Sequence, residues 1–452
     1  MAARAAIILA AGQGTRMRSS LPKVLHQVGG RAMLDWSVDL AKRVGCERII
    51  VVASPAGEQV REHVARSLGP DAIAIQDPPL GTGHAVLAAK EALSGFEGDV
   101  VVLYGDTPLI PATAVERLFE ELDEGARVGV LGFEAAIPGA YGRLITTAKG
   151  DLEAIVEAKD ANAEQLAISL CNSGVMAARA RTMFDLLSRV TNENAKGEYY
   201  LTDIVGLART DGGLCRAVKC AEEDVLGVNS RVELSEAEIA FQTRRRAELL
   251  VSGVTMTAPE TVFLSYDTII ESDVALEPNI VFGPGVHVRS GATIRAFSHL
   301  EGAQVDGGAV VGPYARLRPG ARLESGVRVG NFVEVKNTRM AKGAKANHLA
   351  YLGDGEVGEG ANIGAGTIFC NYDGFLKHRT KVGKGAFVGS NSALVAPVTI
   401  GDGAMIGSGS VITKDVEPDA LAVARGKLVQ KPNWATGFRE KMTAIKAAKK
   451  KG

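Results

Sequence analysis

From Ile270 onward a large apolar side chain returns at every sixth position: Ile270, Leu276, Phe282, Val288, Ile294 and Leu300. A second frame carries Val305, Val311, Leu317, Leu323, Val329 and Val335, and a third carries Val382, Val388, Leu394, Ile400, Ile406 and Ile412. If roughly a quarter of positions hold large aliphatics, six in succession arise by chance about once in four thousand trials per frame. Hexads are the signature of a parallel β-helix, in which each short strand buries one side chain inside a prism and glycines or prolines serve the corners. A small or β-branched residue stands two places before each member of the second frame, at Ala303, Ala309, Ala315, Ala321, Val327 and Val333. Residues 254–430 are therefore expected to stack triangular coils, three hexads to a coil, without large helices.

The count breaks twice. Between Val335 and Val357 stands "KNTRMAKGAKANHLAYLGDGE", and between Phe369 and Val382 stands "CNYDGFLKHRTK", which exceeds a hexad by seven residues. Both read as loops expelled from a rigid coil, rich in Lys, Arg, His, Asn and Tyr, and such loops often carry function.

Residues 1–228 follow a different rhythm. Apolar runs such as "RIIVVAS" and "DVVVLYGD" alternate with helical stretches such as "AMLDWSVDLAKRV". This predicts an α/β, Rossmann-like domain with a mostly parallel sheet covered by helices on both faces, and ligands at the carboxyl ends of its strands. The first apolar run, Ala5 to Ala11, enters "GQGTR". There Gly12 and Gly14 let the backbone bend close to a ligand, and Thr15, Arg16 and Lys23 supply a hydroxyl and two charges, a setting that suits phosphate. Neither the dinucleotide fingerprint nor a P-loop fits: Met17 stands where a third glycine is needed, and no Lys-Ser/Thr pair follows the last glycine. A charged stretch, "SRVELSEAEIAFQTRRRAELLVSG", opens with a Ser230/Glu233 capping box and reads as a connector helix over 229–253. Residues 431–452 form a basic, Lys/Ala-rich tail.

The length of 452 residues leaves room for about three domains. A formal net charge of -1 gives no overall attraction to nucleic acid or anionic membrane, so the partners expected are small molecules bound by local charge. Five cysteines lie scattered at 46, 171, 215, 220 and 370 without the paired spacing of a zinc site, as befits reduced thiols in a cytoplasm. No uncharged apolar run approaches the roughly 18 residues that span a bilayer. The opening "MAARAAIILAAG" imitates a signal peptide, but it leads directly into the glycine turn and reads as the first strand.

From about residue 5 to 430 the chain resembles the bacterial family of bifunctional N-acetylglucosamine-1-phosphate uridyltransferases and glucosamine-1-phosphate acetyltransferases. The motifs are "LAAGQGTRM", "LPKVLH", "LGTGHA", "LYGDTPL", "YGR", "GEYYLTDI", "GVNSR", "ARLRPGA", "VGNFVEVK", "NHLAYLGD", "NIGAGTIFCNYDG" and "VGSNSALVAPV". The first, with Lys23, marks sugar-nucleotide pyrophosphorylases broadly; the later ones are particular to this family. The resemblance implies a left-handed β-helix, a cytoplasmic homotrimer with sites shared between subunits, and synthesis of UDP-N-acetylglucosamine for peptidoglycan and lipopolysaccharide precursors.

For uridylyl transfer it implies that Arg16 and Lys23 neutralise charge while the sugar phosphate attacks the α-phosphorus of UTP and pyrophosphate leaves, chemistry that depends on alignment and charge more than on a covalent nucleophile. Asp106 and Asn229 match the family's Mg2+ ligands, hard oxygen donors for an ion that keeps several waters. Read alone, Asp106 would start the turn before Pro108 and Asn229 would cap the following helix. Leu9, Ala10, Ala11, Gly12, Lys23, Gln76, Gly81 and Thr82 match the nucleotide site, the Gln76 amide offering both a donor and an acceptor to the uracil edge. Tyr104, Gly105, Asp106, Gly142, Glu157, Asn172 and Asn229 match the sugar-phosphate site, while His84 is expected to be structural.

For acetyl transfer from acetyl-CoA, His348 matches the general base, a role to which the imidazole side chain is suited near neutrality, with Glu334 expected to orient it across neighbouring coils. Arg318, Lys336, Tyr351, Asn362 and Lys377 match the sugar-phosphate pocket. Asn371, Tyr372, Ser390, Ser408 and Arg425 match the acetyl-CoA side, with the Ala365 N–H facing the developing oxyanion. A pyrophosphorylase whose β-helix only assembles it, or a scaffold that has lost its chemistry, would have no use for His348 and the "CNYDG" loop, nor the scaffold for Asp106, Asn229, Arg16 and Lys23.

Overall fold

The computed structural model describes residues 2–194 and 196–449. The chain forms two compact units, Met1–Leu249 with Phe263–Asp267, and Leu250–Val262 with Thr268–Gly452.

In the first unit the Arg4–Leu9 strand lies mid-sheet. Ala5, Ala6, Ile7 and Ile8 are all fully buried, as a strand covered on both faces requires. It pairs in parallel with Cys46–Ala53 on one side and Asp99–Tyr104 on the other, and Ile73–Ile75 extends the parallel run. Ala6 and Ile8 join a core with Leu34, Val38, Val115 and Leu118, while Ala5 and Ile7 join another with Val86, Met183, Leu186 and Ile204. The helices Met33–Arg43 and Ala112–Asp123 thus cover one face, and Thr82–Ala88, Ala180–Leu187 and Asp203–Thr210 the other. The nine-stranded sheet is mixed, however. Leu170–Arg179 runs antiparallel to both Asp99–Tyr104 and Val128–Glu134, and Cys215–Cys220 is parallel to the latter. Between Glu134 and Leu170 the chain holds the hairpin Arg143–Thr146 with Leu152–Val156 and a four-residue helix, with no crossover helix to return the strand in the same direction.

The stretch expected as a connector is the helix Arg231–Val251, and through Leu249 it packs within the first unit. Ala237 and Phe241 are buried, Phe241 meeting Trp36 edge-on at 5.5 Å between ring centroids. The buried Gln242 donates from Nε2 to the Leu264 carbonyl at 2.7 Å and accepts the Leu264 N–H at 2.9 Å, which holds 263–267 to the same unit. A four-residue spacing of apolar side chains within a highly charged helix supplies that packed face.

The second unit is a parallel β-helix, consistent with the left-handed coil that the resemblance implies. Its strands are short and form parallel sheets of 10 and 15 strands. Ala275 pairs with Thr293, Thr293 with Val310 and Val310 with Arg328, so successive coils take 18, 17 and 18 residues. Every member of the three hexad frames is buried, at 0% to 6% exposure, and so are Ala303, Ala309, Ala315, Ala321, Val327 and Val333.

One expectation about the interruptions is corrected. Residues 336–356 are not an expelled loop. Glu334–Met340, Lys345–His348 and Tyr351–Val357 are coil strands in register with their neighbours. The inward positions there are Met340, Ala346 and Leu352, all buried; a five-residue step from Val335 to Met340 shifts the frame, and the spacing of six then resumes through a flexible and a small residue. The second interruption does leave the prism: the coil from Asn362 to Phe387 takes 25 residues. At the other end of the unit, Trp434–Lys449 is a helix exposed along its length.

Candidate functional site

At the carboxyl ends of Arg4–Leu9 and Asp99–Tyr104 lies a cavity of about 290 Å³ lined by Leu9, Ala10, Ala11, Gly12, Lys23, Gln76, Gly81, Thr82, Tyr104 and Asp106. The whole expected nucleotide set therefore shares one space with two residues of the sugar-phosphate set. Lys23 is central: its ammonium pairs with the Asp106 carboxylate and donates to Asn229 Oδ1 at 3.0 Å. The Asp106 carbonyl accepts the Val228 N–H at 2.9 Å, which draws the segment before Asn229 to the strand end. Asn229 does not cap the next helix with its side chain. Ser230 Oγ accepts the Glu233 N–H at 3.3 Å, and the Glu233 carboxylate reaches one residue further back to the Asn229 N–H at 2.7 Å. The capping box is displaced by one position, and the Asn229 amide is left for Lys23. Gly14 has φ 62°, and a Cβ there would lie 2.6 Å from Lys23 Cβ, so the turn and the lysine are packed as one piece. Gly105 closes the strand ends by donating its N–H to the Leu9 carbonyl at 3.0 Å. Arg16 is not brought into this group: it is exposed on the turn Thr15–Met17, and no hydrogen bond or ion pair among the described residues includes it.

Gln76 is buried and donates from Nε2 to the Gly81 carbonyl at 2.9 Å, which commits one of its amide donors. The loop carrying Gly81 is clamped by a segment to which the sequence assigned no role. Tyr199 donates its N–H to the Leu80 carbonyl and accepts the Gly83 N–H, both at 2.8 Å, and Leu201 donates its N–H to Thr82 Oγ1 at 3.1 Å. The "GEYYL" motif is thus the backing of the loop carrying Gly81 and Thr82. His84 Nδ1 lies 3.5 Å from Gln76 Nε2, at the limit of a hydrogen bond.

On the sugar side, the Gly142 carbonyl accepts the Asn172 N–H at 2.8 Å, and Asn172 Oδ1 accepts the Gly174 N–H at 2.9 Å. A Cβ on Gly142 would come 3.6 Å from Glu157 Oε1. Burial pushes the Glu157 pKa up, with Lys196 opposing. Burial also pushes the Tyr104 phenol up, reinforced by the charges of Asp106 and Glu157, so it stays protonated.

In the β-helix, strand register assembles the second group. Asn331 pairs with His348, Ala346 with Ile363, Ile363 with Val388 and Val388 with Ile406. His348, Ala365, Ser390 and Ser408 each stand two residues beyond this buried row and so occupy one corner of successive coils. At roughly 4.8 Å per strand the column spans about 14 Å. Arg425 joins it by donating from Nη1 to the Ser408 carbonyl at 2.9 Å. The Ala365 carbonyl accepts the Asn391 N–H at 2.7 Å, whereas its own N–H has no acceptor among the described residues.

The expected Glu334–His348 contact is not formed. The His348 ring places Nδ1 2.8 Å from Asn331 Oδ1. The Glu334 carboxylate instead accepts from Arg318 Nη1 at 2.8 Å and faces Arg316 at 3.8 Å. Register is the reason: it sets 331 beside 348 and 334 beside 351.

Arg318 and Lys336 follow Leu317 and Val335, which pair between adjacent coils, so the two cations stand one above the other. Lys336 Nζ lies 3.7 Å from Asp354 Oδ2. The buried Asp354 accepts from Asn337 Nδ2 at 2.8 Å and from Asn371 Nδ2, which also lies 3.5 Å from the Tyr351 hydroxyl. Burial works to raise the Asp354 pKa, but the Asn337 and Asn371 hydrogen bonds and the charges of Lys336 and Lys377 outweigh it and hold the carboxyl below its ordinary value. Sequence reasoning missed this hub; the signal was a carboxylate closing "NHLAYLGD" among cations expected to hold phosphate. Lys377 stacks over Tyr372, 4.5 Å from its ring centroid, across the base of the expelled loop. Asn362 lies in the other sheet, paired with Lys345 and Phe387, and no described hydrogen bond joins it to the Asp354 group.

Residues 6–192 match the MobA-like NTP transferase domain, and residues 379–414 match the bacterial transferase hexapeptide (six repeats). The chain is 64% identical to the bifunctional protein GlmU of Hyphomonas neptunium over 99% of its own length and 97% of the relative's. The GlmU proteins of Maricaulis maris and Caulobacter vibrioides are 60% and 59% identical, each over 99% of this chain and 98% and 96% of theirs. The chain belongs to the bifunctional GlmU family. A GlmU chain is an enzyme with two activities, uridyltransferase and glucosamine-1-phosphate acetyltransferase, and here a nucleotidyltransferase unit and a hexapeptide unit carry the corresponding folds.

Proposed function

We propose that the β-helix unit acetylates glucosamine 1-phosphate and that the first unit joins the product to UTP, giving UDP-N-acetylglucosamine and pyrophosphate. The functional segments are 1–228 for uridylyl transfer, 229–253 as the joining helix, 254–430 for acetyl transfer and 431–452 as the basic tail. The observation that carries the reading is the convergence of Asp106 and Asn229 on Lys23, where Lys23 and Asp106 line the same cavity as Gln76, Gly81 and Thr82.

Uridylyl transfer forms a bond from the sugar-phosphate oxygen to the α-phosphorus and breaks the bond to pyrophosphate. Lys23 and Arg16 offset the negative charge, Gln76 and Gly81 hold the base, and Tyr104, Gly142, Glu157 and Asn172 hold the sugar. Asp106 and Asn229 suit Mg2+: a carboxylate and an amide oxygen already converge on a single cation, the Lys23 ammonium. No cluster of three or more His, Cys, Asp or Glu among the described residues could hold a metal, so such an ion would take its remaining ligands from phosphate and water. When bound, Mg2+ supplies charge neutralisation on the triphosphate.

In acetyl transfer, His348 takes a proton from the glucosamine amine as that nitrogen attacks the thioester carbon. The Ala365 N–H donates to the oxyanion, then the C–S bond breaks and the CoA thiolate leaves with a proton. Arg318, Lys336, Tyr351, Asn362 and Lys377 hold the sugar phosphate, and Asn371, Tyr372, Ser390, Ser408 and Arg425 line the CoA path. We also place the protein in the cytoplasm as a homotrimer. Its cysteines are free thiols. Phe297, Tyr314 and Phe332 stack at 4.8 and 5.3 Å between centroids while 46% to 56% exposed. All three have φ between 55° and 59°, a strained choice for bulky residues at a corner, which favours a ladder covered by another subunit.

Two assays on the purified wild-type chain test the reading. One follows pyrophosphate release from UTP, Mg2+ and N-acetylglucosamine 1-phosphate; the other follows free thiol from acetyl-CoA and glucosamine 1-phosphate. Both are expected to turn over, and a folded protein silent in either contradicts the reading.

A further inference from the structure

We propose that Asn331 is a positioning residue for acetyl transfer: it fixes the tautomer and orientation of His348, leaving Nε2 as the proton acceptor. The proposal rests on the reading of His348 as the base. The atom of Asn331 that meets Nδ1, at 2.8 Å, is Oδ1. An amide oxygen only accepts, so Nδ1 must carry the proton, and in a neutral imidazole the second nitrogen then holds the free lone pair. His348 is exposed, so without such a partner its ring would be free to rotate and to exchange tautomers with solvent.

The backbone makes this contact an outcome of the coil. Leu349 donates its N–H to the Asn331 carbonyl at 3.0 Å, which sets residues 331 and 348 directly against each other in adjacent coils. Gly330 permits the approach: a Cβ there would lie 2.0 Å from the Asn347 carbonyl oxygen. Within "VGNF", then, Val329 fills the core, Gly330 lets the next strand close in, and Asn331 reaches the imidazole. Nothing in the spacing of the sequence places 331 beside 348; the 17-residue coil does.

The test compares Asn331→Ala, Asn331→Asp and His348→Ala in the full-length chain, with pyrophosphate release from UTP as a control for folding. Histidine side-chain nitrogen shifts read the tautomer by NMR. Asn331→Ala is expected to lower kcat for acetyl transfer roughly three- to tenfold with little change in KM for acetyl-CoA, the range set by one hydrogen bond, and to shift the His348 signals toward the Nε2–H form. Asn331→Asp keeps an acceptor and is expected to restore kcat and the Nδ1–H signature. An alanine variant with wild-type kcat overturns the proposal, and so does an aspartate variant no better than alanine, which would mean that Asn331 donates or only packs. His348→Ala separates the two failures: retained acetyl transfer there refutes the base itself, whereas its loss beside an unaffected Asn331→Ala refutes only the positioning.

Discussion

Glu157 shows what partial burial of a carboxyl does to stability. Burial raises its pKa, so the folded chain binds that proton more tightly than the unfolded one. The sign follows directly. The folded state gains as pH falls through the raised value, and it is penalised once pH rises from the ordinary value near about 4.3 through that window. Glu157→Gln should therefore raise Tm at pH 8 and much less at pH 5, while lowering kcat/KM for N-acetylglucosamine 1-phosphate about tenfold. Thermal unfolding at the two pH values, with pyrophosphate release beside it, checks both; an unchanged kcat/KM would leave Glu157 as an ordinary partly buried acid. Glu157, directly after the strand Leu152–Val156, was legible through the family resemblance. Asn331 and Asp354 were not, because each acts on a partner one coil away, and adjacency across coils depends on whether a coil takes 17, 18 or 25 residues.

The β-helix was legible from its period because one buried side chain per hexad is a geometric demand of the prism. It faded where the inward residues were Met340 and Ala346, which fill the same position without looking like large aliphatics. The antiparallel Leu170–Arg179 strand left no such trace, since strand direction is set by the connection and not by the strand's own apolar pattern. The one expelled loop has its own fastening. The Asp373 carboxylate accepts the N–H groups of Phe375 and Leu376 at 2.8 and 2.7 Å and pairs with His378 Nε2 at 2.7 Å. The Leu376 N–H, His378 and the Phe375 N–H hold its pKa well below the usual carboxylate range. The fastening is therefore present above the ordinary carboxyl pKa and is lost only as pH falls through the depressed value. Asp373→Ala should speed amide hydrogen exchange over 371–380 at neutral pH and raise KM in acetyl transfer several-fold through Tyr372 and Lys377, leaving uridylyl transfer unchanged. Exchange identical to wild type would show that the loop is held elsewhere.

At the scale of the whole molecule, two compact units each have their own buried interior, and each set of proposed site residues falls inside one of them. The sequence announced this division through its change of period, from strand-helix alternation to hexads. It was silent on where the joining helix packs, because the buried pair Ala237 and Phe241 is lost among charges. Separate interiors imply separable chemistry. The most direct measurement is both activities on Asp106→Ala and His348→Ala, each shown to be folded. The expected result is a loss of at least about a hundredfold in uridylyl transfer alone for the first and in acetyl transfer alone for the second; both activities falling together in either variant would contradict the account.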